Sequence, residues 1–209
     1  MPQNDLPSFQ PLIGVYEPSG IRQLADGRFI VVEDEEQHAL GLLRIAVGHV
    51  SHTDLKAPFW SWGDDDFWKL DDLEGVTADR AGHIYAITSH SRDSDGDERK
   101  SRERLVRFRI EGDKVVDPRV AGGLKRELMA AHPELAAAAG IRQVKSEGGL
   151  NIEALEMSAD QRRLLIGFRS PLVDGRAIIA SIDNPGAIFD ADEQPRIGAA
   201  LTTLDLGGN

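Results

Sequence analysis

The chain has 209 residues, of which 41% are hydrophobic, and this composition is typical of one sizeable water-soluble globular domain rather than a disordered chain. It contains no cysteine, which excludes disulfides, thiolate nucleophiles and cysteine-ligated metal centres. Its 35 acidic and 24 basic residues give a net charge of -11, so the overall field repels nucleic-acid phosphates.

The N-terminal segment and the lengths of the apolar runs indicate the cellular compartment in which the protein is expected. No run approaches the roughly 20 apolar residues of a membrane span. Met1 to Gln10 carries Asp5 and two prolines where a secretory signal has a basic region and an apolar run. We therefore expect a cytoplasmic protein with neither a membrane nor a nucleic-acid partner, and export after removal of a signal is the alternative.

The first predicted element is a hairpin whose pattern recurs twice. Ser19-Gly20-Ile21 begins a short strand, Asp26-Gly27 forms a tight turn, and a run rich in β-branched residues follows. The other two copies begin at Glu74 and at Asn151. The apolar second strands are 29–34, 84–89 and 164–169.

A third strand is predicted in each copy, at 42–47, 105–110 and 177–182, and turns through Gly48 and Glu111-Gly112-Asp113 lead to a fourth strand in the first two copies. Units of three or four strands at a regular period are typical of propeller blades. The predicted fold class is therefore all-β, with β-propeller-like blades of antiparallel strands, and a sandwich or barrel is the alternative. Three units predict an incomplete ring, because propellers have about 4 to 8 blades.

A helical insertion is predicted near 122–140. Leu, Ala, Glu, Lys and Met dominate this stretch, Pro133 can open a second short helix, and Gly140 can end it. We expect the insertion to cover a blade face. A lid over a central site is the alternative.

Five stretches together resemble an uncharacterised bacterial family of the domain-of-unknown-function kind, which is itself similar to phytase-like and paraoxonase-like β-propellers. The stretches are 18–22, 72–76, 87–91, 151–155 and 167–171. The resemblance implies that acidic-glycine turns point at the central channel, and it implies no established activity. Members of the family extend further, so 1–209 is expected to be a single propeller-like domain, truncated at its C-terminus, where 204–209 looks like a strand running into a turn. Ala154 stands where a glycine is usual.

One repeat position predicts a central polar site. Ser19, Glu74 and Glu153 are equivalent in the three copies, and Glu17, Asp72 and Asn151 stand two residues before them. Equivalent positions in blades point in equivalent directions, which gives a partial ring of oxygen atoms suited to Ca²⁺ or another divalent cation. The predicted metal ligands are Glu74, Glu153, Asp72 and Asn151. The alternative is that the carboxylates accept hydrogen bonds from neighbouring blades and serve as structural ties.

The ends of the second strands supply the candidate catalytic residues. Asp34, Ser89 and Arg169 are equivalent there, and His90 follows Ser89. We predict His90 as a general base and Arg169 as an anion stabiliser, with a hydrogen-bonded loop histidine as the alternative for His90. A serine nucleophile is disfavoured, since adjacent strand residues face opposite sides and no Gly-x-Ser-x-Gly sequence is present.

Two charged segments carry weaker signals. The segment 92–104 mixes acids and bases without the glutamate of a calcium-binding loop, which predicts a solvated hairpin tip, with an anion clamp of arginines as the alternative. Three aspartates at 64–66 stand beside Trp60, Trp62 and Trp68. We predict that these tryptophans pack on a blade, and a ledge for a sugar or cation is the alternative.

Two functions follow from these patterns. The first is a ligand- or partner-binding domain with a polar central site, for a small anionic ligand or a protein. The alternative is a metal-dependent hydrolase of phosphoesters or lactones, in which the cation activates water. The sequence leaves open whether the protein is an enzyme, because no complete catalytic signature is present.

Overall fold

A computed structural model describes residues 12–34, 39–47, 49–56 and 66–207. Its strands form three four-stranded antiparallel sheets, and in each sheet the strand order follows the chain. This arrangement confirms the predicted all-β class with propeller-like blades in an incomplete ring. Four of the aromatic and acidic positions of the 60–66 region, Trp60, Trp62, Asp64 and Asp65, lie outside the described residues.

The first sheet is built from the first predicted hairpin and the two strands after it. Between the hairpin strands, Gly27 adopts a φ of +87°, in the left-handed region that glycine enters without steric cost. The third strand begins two residues before its predicted start. The strands are β1 (Pro18–Gln23), β2 (Phe29–Glu33), β3 (Leu40–Ala46) and β4 (His49–Asp54).

The second and third sheets repeat this plan. The second contains β5 (Leu73–Ala78), β6 (Ile84–Thr88), β7 (Leu105–Glu111) and β8 (Lys114–Ala121). The third contains β9 (Asn151–Met157), β10 (Leu164–Val173), β11 (Arg176–Ile182) and β12 (Thr202–Leu204). In β12, at the end of the chain where the sequence pattern suggested a strand, Leu204 pairs with Ala177 of β11. The strand β12 is therefore the outer strand of the third sheet.

The helical insertion is confirmed. It consists of α1 (Leu124–Ala131) and α2 (Pro133–Ala139). Two helices that the sequence pattern did not predict are α3 (Val144–Glu147), before β9, and α4 (Pro185–Asp190), before β12. Leu128 of α1 and Leu135 of α2 are fully buried in the core that joins the second and third sheets. The first two helices therefore cover blade faces, as expected from their apolar side chains. No described helix has the length and apolar character needed to cross a membrane.

The three sheets pack through their first strands. The strand β5 lies between β1 and β9 and contacts both. One core fills the space between the first two sheets, with members from both such as Ile30, Leu42, Val76 and Phe108, and another joins the second and third. Burial of these aliphatic and aromatic side chains supplies the main stabilising free energy of the packing.

Close approach of the first strands explains the glycines that follow the repeat position. A Cβ atom on Gly75 would lie 2.6 Å from the backbone nitrogen of Leu155 in β9, and one on Gly20 would lie 3.3 Å from the Val76 side chain in β5. Ala154 occupies the same repeat position in β9 but is exposed, since no described strand packs against it from a further blade. Its methyl group is tolerated there for that reason.

Candidate functional site

A bulge stands at the repeat position of every first strand. Pro18 pairs with Glu33 and Gly20 with Val32, so that Ser19 is the extra residue of β1. The same irregularity isolates Glu74 between paired neighbours in β5, and Glu153 in β9. A bulge leaves its extra residue unpaired and redirects that side chain. The equivalence predicted for these three positions thus has a backbone counterpart.

The bulges at Glu74 and Glu153 border a cleft of about 530 Å³, which we call the axial cleft. Its wall receives the ends of strands from all three sheets, the segment that follows β6 and the segment around α3. The charged and amide side chains that line it are Asp34, Asp72, Glu74, Arg92, Asp93, Arg102, Arg142, Gln143, Lys145, Asn151, Glu153 and Arg169. Five of the six predicted site residues are therefore brought together.

Asp72 is held by hydrogen bonds and an ion pair at a single carboxylate oxygen. Its Oδ2 atom accepts hydrogen bonds from the hydroxyls of Ser89 and Ser91, the latter at 3.1 Å, and pairs with Arg102 at 3.0 Å. Burial by itself raises the pKa of Asp72, but the hydrogen bonds from Ser89 and Asp34 and the charge of Arg102 outweigh it and lower the pKa. Asp72 also has a φ of +65°, a conformation that costs a non-glycine residue free energy and recurs at functional sites.

Asp34 faces Asp72 from the first sheet. Burial, the hydrogen bond with Asp72 and the negative charge of that residue raise the pKa of Asp34 to about 6. The two carboxyl groups thus share one proton more readily than isolated acids would, since a proton between them relieves like-charge repulsion. Asp34 was noticed in the sequence only as an equivalent strand end, without this partner.

Glu74 carries the largest change among the carboxyl groups of the cleft. Burial first, and then the negative charges of Glu153, Asp72 and Asp34, raise its pKa to about 8, although a hydrogen bond from Ser19 acts in the opposite direction. At pH 7 the Glu74 side chain is therefore mostly a neutral carboxyl group, able to donate as well as accept a hydrogen bond.

The third sheet contributes a polar triplet. The Nδ2 atom of Asn151 donates to Glu153 Oε1 at 2.9 Å, and Arg169 Nη1 approaches the same oxygen at 3.4 Å. Asn151 is 6% exposed, and its Oδ1 atom is buried with no hydrogen-bond partner among the described residues. Arg169 is largely exposed, so it can turn toward a ligand at little cost.

The structure does not bring His90 to the axial cleft. The ring is fully buried, its Nδ1 atom donates to the Thr88 carbonyl at 2.9 Å, and Nε2 has no partner in the described part of the chain. Burial lowers the pKa of His90 to about 4, and the nearest charged groups are Glu103 and Lys125. A neutral, enclosed imidazole lacks the access that a general base needs.

The rim of the cleft is formed by residues that sequence reasoning did not place there. The segment after β6 contributes Arg102, whose Nε atom also bonds Asp71 at 2.9 Å, and Arg142 before α3 pairs with Asp97 at 3.0 Å. Lys145 of α3 also lines the cleft. The high charge density of 92–104 was the only sequence signal for Arg102, and no sequence signal marked Arg142 or Lys145.

The fit of these residues to a divalent cation can be judged from the acids. Among the described residues, no three histidine or acidic side chains form a group that could hold a metal ion. Asp72 Oδ2 is already occupied by two hydroxyls and a guanidinium, and calcium prefers six to eight oxygen ligands. Asp72 therefore makes hydrogen bonds within the protein, as the structural alternative expected. The divalent-cation site stays a prediction.

Comparisons with known proteins do not assign the chain to a family. No family model matches it, and no curated protein does. A crystal structure of an auxiliary nutrient binding protein from Bacteroides ovatus is 9% identical, with a TM-score of 0.45, and the match covers 89% of this chain and 32% of that one. A protein from Lactobacillus plantarum is 9% identical with a TM-score of 0.37, over 85% of this chain and 35% of that one. The chain thus spans about a third of the length of both proteins.

Proposed function

We propose that the chain is a ligand-binding domain that holds a small polar molecule in the axial cleft. The observation that carries the proposal is the convergence of side chains from all three sheets on this one cleft, through Asp34 after β2 and through the bulges at Glu74 and Glu153. Bulges next to a concave surface re-aim side chains toward a shared target, and a concave site with a few convergent polar groups is the usual form of a ligand pocket.

The charges of the cleft suggest how such a ligand is held. Acids lie at the strand ends, and the cations Arg169 and Lys145 lie at the wall and rim. Arg169 makes one long contact with Glu153, and Lys145 has no ion pair within the described residues. An acidic group of the ligand would therefore find two cations whose interactions are not already saturated.

A thermal-shift screen of small polar compounds, including zwitterions, carboxylates and sugars, tests the proposal. A bound compound raises the unfolding temperature by mass action. We expect Arg169→Gln to reduce the shift of any such compound and Arg162→Gln to leave it unchanged, since Arg162 is an exposed turn residue that does not line the cleft. A compound whose shift survives Arg169→Gln and Lys145→Gln, or a screen without any stabilising compound, would overturn the proposal.

A further inference from the structure

A second cavity, of about 770 Å³, lies at the other ends of β5 and β9 and shares no lining residue with the axial cleft. In β5 the axial cleft meets Glu74 and the second cavity meets Ala78, about 13 Å further along at the rise of an extended strand. Its lining includes the turns between the first and second strands of all three sheets. We therefore call it the turn-end cavity.

Hydrogen bonds close these three turns in the same way. In each turn the residue after the first strand donates its backbone N–H to the carbonyl oxygen of the residue before the second strand. The three bonds measure 2.7, 2.9 and 2.9 Å and join Leu24 to Arg28, Asp79 to His83 and Ser158 to Arg163. Arg80 also connects two turns, because its backbone N–H donates to Gln161 Oε1 at 2.7 Å and its Nη2 atom to the Ala159 carbonyl at 3.2 Å. The rim is thus formed before a ligand arrives, which limits the entropic cost of binding.

Part of the lining is apolar. Leu24, Ala78 and Ile110 are partly buried and pack against the core between the first two sheets. Leu165 of the third sheet is also partly buried where it lines the cavity. These side chains keep some contact with solvent on a concave surface, so an apolar group placed against them would remove apolar surface from water.

The acidic side chains of the turn-end cavity all have partners within the protein. The pairs are Asp26 with Arg28, Asp79 with His83 and Glu156 with Arg22, at 2.6, 2.9 and 3.2 Å. Each carboxylate is therefore already bound to a nitrogen donor of the protein.

Two arginines of the cavity have no acidic partner. Arg109 of β7 is exposed and makes no hydrogen bond or ion pair within the described residues. In the same part of the chain, the side chain of Arg80 makes one hydrogen bond, to a carbonyl. The protein as a whole has a net charge of -11, so two uncompensated guanidinium groups in one cavity are a local exception to its field. A ligand carboxylate is a partner that such groups bind strongly.

We propose that the turn-end cavity binds a small organic acid, with its carboxylate held by Arg80 and Arg109 and an apolar body against Leu24, Ile110 and Leu165. This is a second site, beyond the function proposed for the axial cleft. An ionised carboxylate offers two oxygen acceptors and no donor, which suits two cations with unused N–H groups. The apolar body distinguishes this ligand from the small polar molecule of the axial cleft.

Hexanoate is the probe for this site, because it joins one carboxylate to a short apolar chain. The experiment follows the methionine methyl signals of the full chain by NMR. Met157 lines the turn-end cavity and not the axial cleft, whereas Met129 of α1 lines neither. We expect hexanoate to shift the Met157 signal saturably and to leave the Met129 signal in place.

Control compounds and variants separate the charge from the apolar contact. Acetate lacks the apolar body, hexan-1-ol lacks the charge and hexylammonium carries the opposite charge, so each should bind about tenfold more weakly than hexanoate or worse. Arg80→Gln and Arg109→Gln should each weaken hexanoate binding about tenfold, since hydrogen bonds to charged groups are the strong ones. Arg119→Gln, which replaces an exposed arginine of β8 outside the cavity, should leave the affinity unchanged.

Equal binding of hexan-1-ol or hexylammonium would overturn the assignment. A Met157 shift that does not saturate, or that Met129 matches, would do so too, because it would show general association with apolar surface. If an arginine variant fails to fold, the comparison of hexanoate with hexylammonium on the unmodified chain decides. Hexanoate binding that is lost in Arg109→Gln belongs to this cavity alone, and absence of hexanoate binding would leave the proposed function standing, since no residue lines both cavities.

Discussion

The raised pKa of Glu74 predicts how the stability of the protein depends on pH. In the unfolded chain this group titrates near 4.5, and in the folded chain at about 8. Between these values the folded state holds a proton that the unfolded state has lost, so the free energy of unfolding falls as pH rises through this window. Replacement by glutamine removes the proton exchange and keeps the size and polarity of the side chain.

The magnitude follows from the same two values. At 1.36 kcal/mol per pKa unit, the full difference would be about 5 kcal/mol. Because Glu74 is only partly buried, solvent screening reduces the expected effect to about 2 kcal/mol. Urea unfolding between pH 5 and about 9 should therefore show Glu74→Gln gaining stability over the unmodified chain as pH rises.

The control for this experiment is Glu111→Gln, which changes an exposed acid of β7 by the same chemistry. Its stability curve should run parallel to that of the unmodified chain. If the curve of Glu74→Gln also runs parallel across the whole window, Glu74 is ionised like an ordinary surface acid. That outcome would refute the account of repulsion and burial in the axial cleft.

Three further predictions concern the packing, the buried histidine and the metal site. Gly75→Ala should lower the free energy of unfolding by about 2 kcal/mol or more, because the added methyl group meets the Leu155 backbone. Gly122 has open space around it, so Gly122→Ala should change the free energy of unfolding in urea by less than about 0.5 kcal/mol. Equal effects of the two substitutions would contradict close packing of the first strands. The unmodified chain should lose stability as the pH falls from 6.5 to about 4, because the unfolded chain binds a proton there that the buried His90 ring, with a pKa of about 4, does not. His90→Gln should reduce this loss. If the free energy of unfolding depends on pH in the same way in both proteins over this range, the His90 ring is accessible to solvent. A divalent cation at the predicted ligands should raise the unfolding temperature by mass action and EDTA should reverse the rise; a flat thermal-shift response to Ca²⁺, Mg²⁺, Mn²⁺ and EDTA would refute the metal site.

Much of the architecture could be predicted from the sequence, because the residue patterns that mark strands, turns and helices are local. Asp26-Gly27 marks a tight turn, and the apolar runs after it have the β-branched composition of buried strands. Pro133 and Gly140 delimit the second helix of the insertion as predicted. These features depend on the preferences of neighbouring residues, which do not change with the rest of the fold.

The position of the site could be predicted from the sequence only in part. The repeat put Glu74 and Glu153 at one position, and the structure places both at one cleft. The same reasoning put His90 beside them, but the turn after β6, where His90 has a φ of +55°, carries its ring into the protein interior. The strand alternation assumed in the sequence does not hold at such a residue.

The sequence alone determined that three hairpin-led units recur with polar residues at one repeat position, since hydrophobic alternation and turn residues act over a few neighbours. Only the tertiary structure decided what those residues do. The bulges at Glu74 and Glu153 depend on pairing with the next strand, and the proton on Glu74 and the burial of His90 depend on groups distant in the sequence. Charge repulsion and desolvation act through space between distant parts of the chain, and no local pattern records them.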